Sequence, residues 1–147
     1  MSNRIHLKGS YRHEEAIAGA AGIYPGMLVM LNSSGEVVVH ATAGGWAEKA
    51  FAEEDALQGH TIDTVYEDDS VVSYVLPEQG GEVNVMLKEG YDYSIGTQLV
   101  SAGDGTLMPY DDMESDGTVL EVLAVCTEAL DLTVSGAEDI VSPVRVL

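Results

Sequence analysis

The side chains with chemical reach in this sequence are four histidines, one cysteine, a Ser33-Ser34 pair and two dense groups of carboxylates. The histidines are His6, His13, His40 and His60. None is spaced as H-x-x-x-H, and none belongs to a zinc-type Cys/His cluster. His40 ends an apolar run and His60 follows Gly59, so both are expected at the surface or in turns. Cys126 lies in the apolar run VLEVLAVCTEAL and reads as a small buried hydrophobe. A nucleophilic thiol needs a histidine and an electropositive setting, and its sequence neighbours supply neither. As the single cysteine, it cannot staple the chain internally.

The first carboxylate group is Glu67-Asp68-Asp69. The second is Asp111-Asp112 with Glu114 and Asp116. Calcium takes several loop carboxylates plus carbonyls, and the second group is the longer candidate. Neither has the D-x-D-x-D-G loop with a distant glutamate, and loop carboxylates of a very acidic chain are usually solvated. A hydrolase using residues 111–116 would need neighbouring groups that push the carboxyl pKa values apart, and beyond Tyr110 nothing suggests such a floor. Gly44-Gly45 and Gly80-Gly81 lack the G-x-x-x-x-G-K-[ST] pattern of a phosphate loop. There is no G-x-S-x-G elbow, and Ser33-Ser34 has no placed base. The expectation is therefore no catalytic residue, no metal site and no cofactor.

Charge narrows the partners. The chain has 25 acidic and 6 basic residues, for a net charge of −19. Nucleic-acid binding depends on neutralising phosphates with Lys and Arg, so it is not expected. An anionic membrane surface is disfavoured for the same reason. No run of ~18 apolar residues exists to span a bilayer. MSNRIHLKGSYRHEE has no apolar h-region or signal cleavage pattern, so the protein is expected to work in the compartment where it is made. Arg4, Lys8 and Arg12 are half of the basic residues, and no acid precedes Glu14. A short basic stretch thus precedes a strongly acidic body. That asymmetry fits a contact with something acidic, and equally a frayed terminus.

The elements that must hold these residues read as β throughout. Residues 1–22 lack a strand pattern and are expected as an extended arm ending at the turn Tyr24-Pro25-Gly26. In MLVMLNSSGEVVVH, two apolar runs flank Asn32-Ser33-Ser34-Gly35, which predicts a hairpin. AEKAFAEEDALQG reads as a short helix or as a strand followed by a turn. VVSYVLP is β-branched and apolar. EVNVML alternates, with Val83, Val85 and Leu87 on one face. QLVS and TLMPY bracket an Asp104-Gly105 turn. TVLEVLAVCTEAL predicts one long buried strand or a bent pair. IVSPVRVL closes as a strand whose Pro143 predicts an edge or a bulge. About eight short strands separated by glycine turns predict an all-β fold, a small β-barrel or β-sandwich spanning residues 23–147 behind the arm 1–22.

Four pieces, in order, resemble the capsid cement or head decoration proteins of tailed bacteriophages. They are IYPGMLVMLNSSGEVVVH, AEEDALQGHTID, EDDSVVSYVLPEQGGEVNVMLKEGYDYSIGTQLVSAGDGTL, and the closing pair AVCTEAL and SPVRVL. Together they cover most of residues 23–147. The resemblance implies a non-enzymatic structural protein of the virion, made in the host cytoplasm and bound to the outer surface of the head. It implies the major capsid protein as partner, homotrimers at three-fold or quasi-three-fold positions, and an N-terminal arm reaching onto the capsid. Arg4, Lys8 and Arg12 would then meet acidic capsid surface, with Ile5, Leu7 and Ile17 as apolar anchors. Removing residues 1–13 would weaken capsid binding and leave the domain folded. The alternative is a small β-barrel binding or carrier module. MLKEGYDYSIGTQLV has the glycine rhythm of hammerhead barrels, with Lys88 as its carrier lysine, but the Met-Lys context of such carriers is missing.

Overall fold

The computed structural model describes residues 4–114, 117 and 119–147. Its strands in chain order are β1 (His6–Lys8), β2 (Tyr11–Ile17), β3 (Val29–Leu31), β4 (Val37–Val39), β5 (Phe51–Ala52), β6 (Val71–Pro77), β7 (Glu82–Leu87), β8 (Asp92–Tyr93), β9 (Gln98–Ser101), β10 (Leu107–Pro109), β11 (Ala124–Cys126), β12 (Leu130–Asp131) and β13 (Ile140–Val146). Two short 3-10 turns, Ala56–Gln58 and Tyr110–Asp112, are the helical elements among the described residues. The all-β expectation holds, and the architecture is a barrel.

Five strands close on themselves in the order β7-β10-β9-β11-β13, because β13 pairs back onto β7. The β7–β13 ladder is antiparallel and runs from Ile140 opposite Leu87 to Arg145 opposite Glu82. Val83, Val85 and Leu87 point inward and are fully buried, as their alternation predicts. They meet Leu99, Leu107, Leu123 and Val144 in one core. Each such side chain stabilises the fold by about 1.5–3 kcal/mol when fully buried. Tyr93 is also fully buried, and its hydroxyl donates to the carbonyl of Lys88 at 2.7 Å.

The other face of β7 is covered too. Asn84 is 4% exposed, and its side-chain amide donates to the carbonyl of Arg4 at 2.8 Å. Along this edge, the N–H groups of Asn84, Met86 and Lys88 bond in turn to the carbonyls of Ile5, Gly26 and Leu107. Three distant parts of the chain therefore share one strand edge. Gly26 is required there. Its φ is +93°, and a Cβ would come within 2.8 Å of Val141 Cγ1.

A second layer flanks the barrel. β6 lies between β2 and β5 in an antiparallel sheet, and the β3–β4 hairpin packs on that sheet. Ala18, Ile23, Val29, Val37, Ala52 and Val72 form its core. The hairpin turn forms as expected. Asn32 Oδ1 accepts from the N–H groups of Ser34 and Glu36, and Gly35 takes φ +76°.

Several expectations are corrected. Residues 1–22 are not strand-free: β1 pairs with β7, and β2 pairs with β6 over seven residues. Of the two alternatives for AEKAFAEEDALQG, the strand followed by a turn is the one that forms, as β5 and the first 3-10 turn. TVLEVLAVCTEAL supplies only β11 and part of β12. His40 is 3% exposed and is no surface residue. Pro143 sits in a strand paired on both sides and is not at an edge. Its carbonyl accepts from Thr127, just beyond the end of β11, and the missing N–H points the same way. The ladder to β7 loses no bond.

Candidate functional site

Of the basic N-terminal residues, Lys8 ends β1, Arg12 lies on β2, and Arg4 precedes β1. Lys8 Nζ is 3.1 Å from Glu82 Oε2 and Arg12 Nη2 is 2.7 Å from Glu14 Oε1, while Arg4 Nε is 4.0 Å from Glu54 Oε1. All three basic side chains remain 78% exposed. Of the three apolar residues expected as anchors, Ile17 is exposed, Leu7 is half-buried, and Ile5 is fully buried in the barrel core. Ile5 therefore fastens the segment to its own domain. Deleting residues 1–13 would remove a core side chain along with the surface charges.

Beside Arg12 is a polar cluster. His13 Nδ1 lies 2.5 Å from Glu53 Oε1, and His13 Nε2 lies 3.3 Å from Glu15 Oε1. Ser73 Oγ donates to the same Glu53 oxygen at 2.8 Å. Burial pulls the His13 pKa down, but Glu15 and Glu53 outweigh it, and the net shift is upward. Ser73 Oγ is 3.4 Å from both ring nitrogens. Neither in-plane lone pair can point at an atom equidistant from both, so this is not a nucleophile–base pair. It is a clasp across the sheet.

His40 holds a different junction. Its Nε2 is 3.0 Å from the carbonyl of Trp46, which can only accept, so that nitrogen carries the proton. Nδ1 then accepts from Ser101 Oγ at 2.7 Å. This pins the backbone of Trp46 while its indole stays 76% exposed, beside the exposed Met30 and Leu31. Nothing in the sequence order of these residues signals the patch.

The remaining candidates are accounted for. Cys126 is buried, and burial pushes its thiol up to about 11, which keeps it unreactive. Lys88 Nζ is held by Asp104 Oδ2 at 2.7 Å rather than standing free as a carrier lysine. Asp111 and Asp112 lie on the second 3-10 turn, and Asp116 lies outside the described residues. Among the described residues, no group of three His, Cys, Asp or Glu side chains converges on a metal-sized site. An open cleft of about 480 Å³ runs past Asp55, His60, Tyr66 and Val71. A second, of about 610 Å³, lies between Tyr24, Met86 and Val141. No helix among the described residues is long and apolar enough to cross a membrane.

These features define an all-β protein with a closed five-stranded barrel, a flanking sheet and side-chain clusters that serve to join strands. No family model and no curated protein matches the chain. Among solved structures, it is similar to the crystal structure of the head fiber gp8.5 N base in bacteriophage phi29. The TM-score is 0.56 at 13% identity, over 94% of this chain and 95% of that one. At that identity the likeness is one of fold.

Proposed function

We propose that this chain is a structural protein of a phage head, a decoration (cement) protein that binds the outer surface and stabilises the major capsid protein lattice without catalysing a reaction. The observation that carries this reading is the end-to-end fold likeness to the phi29 head fiber base. A barrel alone would say little, since common folds host many functions. Here the likeness covers 94% of this chain and 95% of the other, so it extends well beyond the five barrel strands. The four sequence pieces that resemble cement proteins point to the same reading.

In this reading copies sit as trimers at three-fold positions, and residues 1–22 face the capsid. Arg4, Lys8 and Arg12 present positive charge on an otherwise acidic body. A ligand that binds the assembled lattice better than its parts stabilises it by mass action. Many weak copies arranged by symmetry reinforce one another. The test is to mix the purified protein with undecorated heads and image them. Ordered density on the outer surface is the expected result, and bare heads at saturating protein overturn it. Because Ile5 is a core residue, charge reversal replaces truncation. Arg4→Glu with Lys8→Glu should lower head occupancy at least tenfold with unchanged folding, and equal occupancy removes the basic stretch from the interface.

A further inference from the structure

β2 is an edge strand. β6 pairs with one side of it along its whole length, and no described strand pairs with the other side. The phase of the free backbone groups follows from two bonds. The carbonyl of Ser10 accepts from Glu78, and the N–H of Ala18 donates to Ser70. In an extended strand, a residue's N–H and C=O point the same way, and that direction alternates along the chain. Even-numbered residues therefore bond to β6. The N–H and C=O groups of Tyr11, His13, Glu15 and Ile17 point outward from the sheet.

The side chains carry a matching order. Tyr11 and Ile17, at the two ends, are 42% and 41% exposed, and Val71, which faces Ile17 across the ladder, is 48% exposed. Arg12 and His13 come first in the middle of the strand, followed by Glu14 and Glu15. Charged residues normally protect an edge from pairing. Read in reverse about Glu14, this strand sets its two apolar ends against each other and His13 against Glu15.

We propose that the free edge of β2 binds the same edge of a second copy of this chain, antiparallel, about a two-fold axis through Glu14. Tyr11 then lies opposite Ile17 of the second copy, Arg12 opposite Ala16, and His13 opposite Glu15. All the outward-pointing backbone groups fall at hydrogen-bonded positions. A one-residue slip sets them against groups pointing the wrong way, and a two-residue slip places Tyr11 opposite Glu15 and loses both apolar pairs. The two Glu14 carboxylates meet at the axis, each already bound by the Arg12 of its own strand. The two strips of Tyr11, Ile17 and Val71 leave water together.

A two-fold contact closes after two copies and leaves the rest of each surface free. It does not depend on the capsid reading. Where copies stand around three-fold positions, it would tie one group of three to the next. The bodies repel at long range, since each carries −19, so association is measured at physiological salt, where the screening length is about 8 Å.

The test is sedimentation of the full chain without heads, across a concentration series. The expected mass at high micromolar concentration is twice the 15.6 kDa of one chain. Glu15→Pro deletes an outward N–H without removing a bond to β6, and it should return the monomer with an unchanged circular dichroism spectrum. Should that variant fail to fold, Ile17→Lys replaces it and weakens association at least tenfold, and adding Tyr11→Glu to it restores the dimer. A wild-type chain that stays monomeric, a trimer, or a dimer indifferent to both variants overturns the proposal. None of these results bears on whether the protein coats heads, which the imaging experiment reads separately.

Discussion

Glu53 Oε1 receives His13 Nδ1 from β2 and Ser73 Oγ from β6, although Glu53 itself follows β5. One carboxylate thus joins all three strands of the flanking sheet. Its side chain is only 13% exposed, so its partners matter more than those of a surface acid.

The clasp should make stability depend on pH. The His13 pKa in the folded chain is raised above its ordinary 6.5, so its contribution is complete below 6.5 and is lost as pH rises through the raised folded value. The ring is half exposed and screened by solvent, which keeps the effect small. His13→Gln should lower the melting temperature by about 1–3 °C near pH 5.5 and less near pH 8.5. Differential scanning calorimetry at both values checks the sign, and a larger loss at the higher value refutes it.

Ile5 should behave as a core residue despite its place near the start of the sequence. Ile5→Ala should cost about 2–5 kcal/mol in urea unfolding, whereas Leu7→Ala, at a half-buried position, should cost about 1 kcal/mol. Equal costs would mean that β1 is not held as described.

Asp104 accepts from Lys88 Nζ, from the backbone N–H of Thr106 and from its hydroxyl. Burial alone would raise its pKa, but Lys88 and Thr106 outweigh burial and hold it below 3.8. Its contribution is therefore present above 3.8 and lost as pH falls through the depressed folded value. Asp104→Ala should cost about 1–2 kcal/mol near pH 7, and the cost should shrink toward about pH 3. Urea titrations at the two values read the difference.

Gly26 and Gly22 share φ +93°, but only Gly26 has neighbours where a Cβ would go. Gly22→Ala should cost about 1–2 kcal/mol from backbone conformation alone. Gly26→Ala should cost measurably more, because Val141 must also move. Matching unfolding midpoints for the two variants would show that the approach of Gly26 to β13 does not matter.

Some of this structure was legible in the sequence for local reasons. Asn32 and Gly35 carry their own turn chemistry, and Val83, Val85 and Leu87 declare a buried face by period alone. β1 and β2 were not legible. An edge strand with water beside it needs no alternation, and RHEEAI shows little. The partners of both strands, β7 and β6, also lie far along the chain. His40 looked like a strand-end residue because the groups that bury it, Ser101 and the Trp46 carbonyl, arrive from elsewhere. The dense carboxylate groups at 67–69 and 111–116 gave no hint of Glu53, which gains its role only where three strands meet. Of the candidate arm residues, the exposure of the charges was foreseeable and the burial of Ile5 was not.

The barrel closes through the pairing of β13 with β7, and β13 is the last strand in the sequence. During synthesis β7 emerges early and must wait for the strand that completes it. Until then, Val83, Val85 and Leu87 belong to an open sheet with an unpaired edge, the kind of intermediate that aggregates. The barrel can therefore close only once β13 has been made. A ribosome stalled before Ile140 would hold a chain with most of its strands and no finished core.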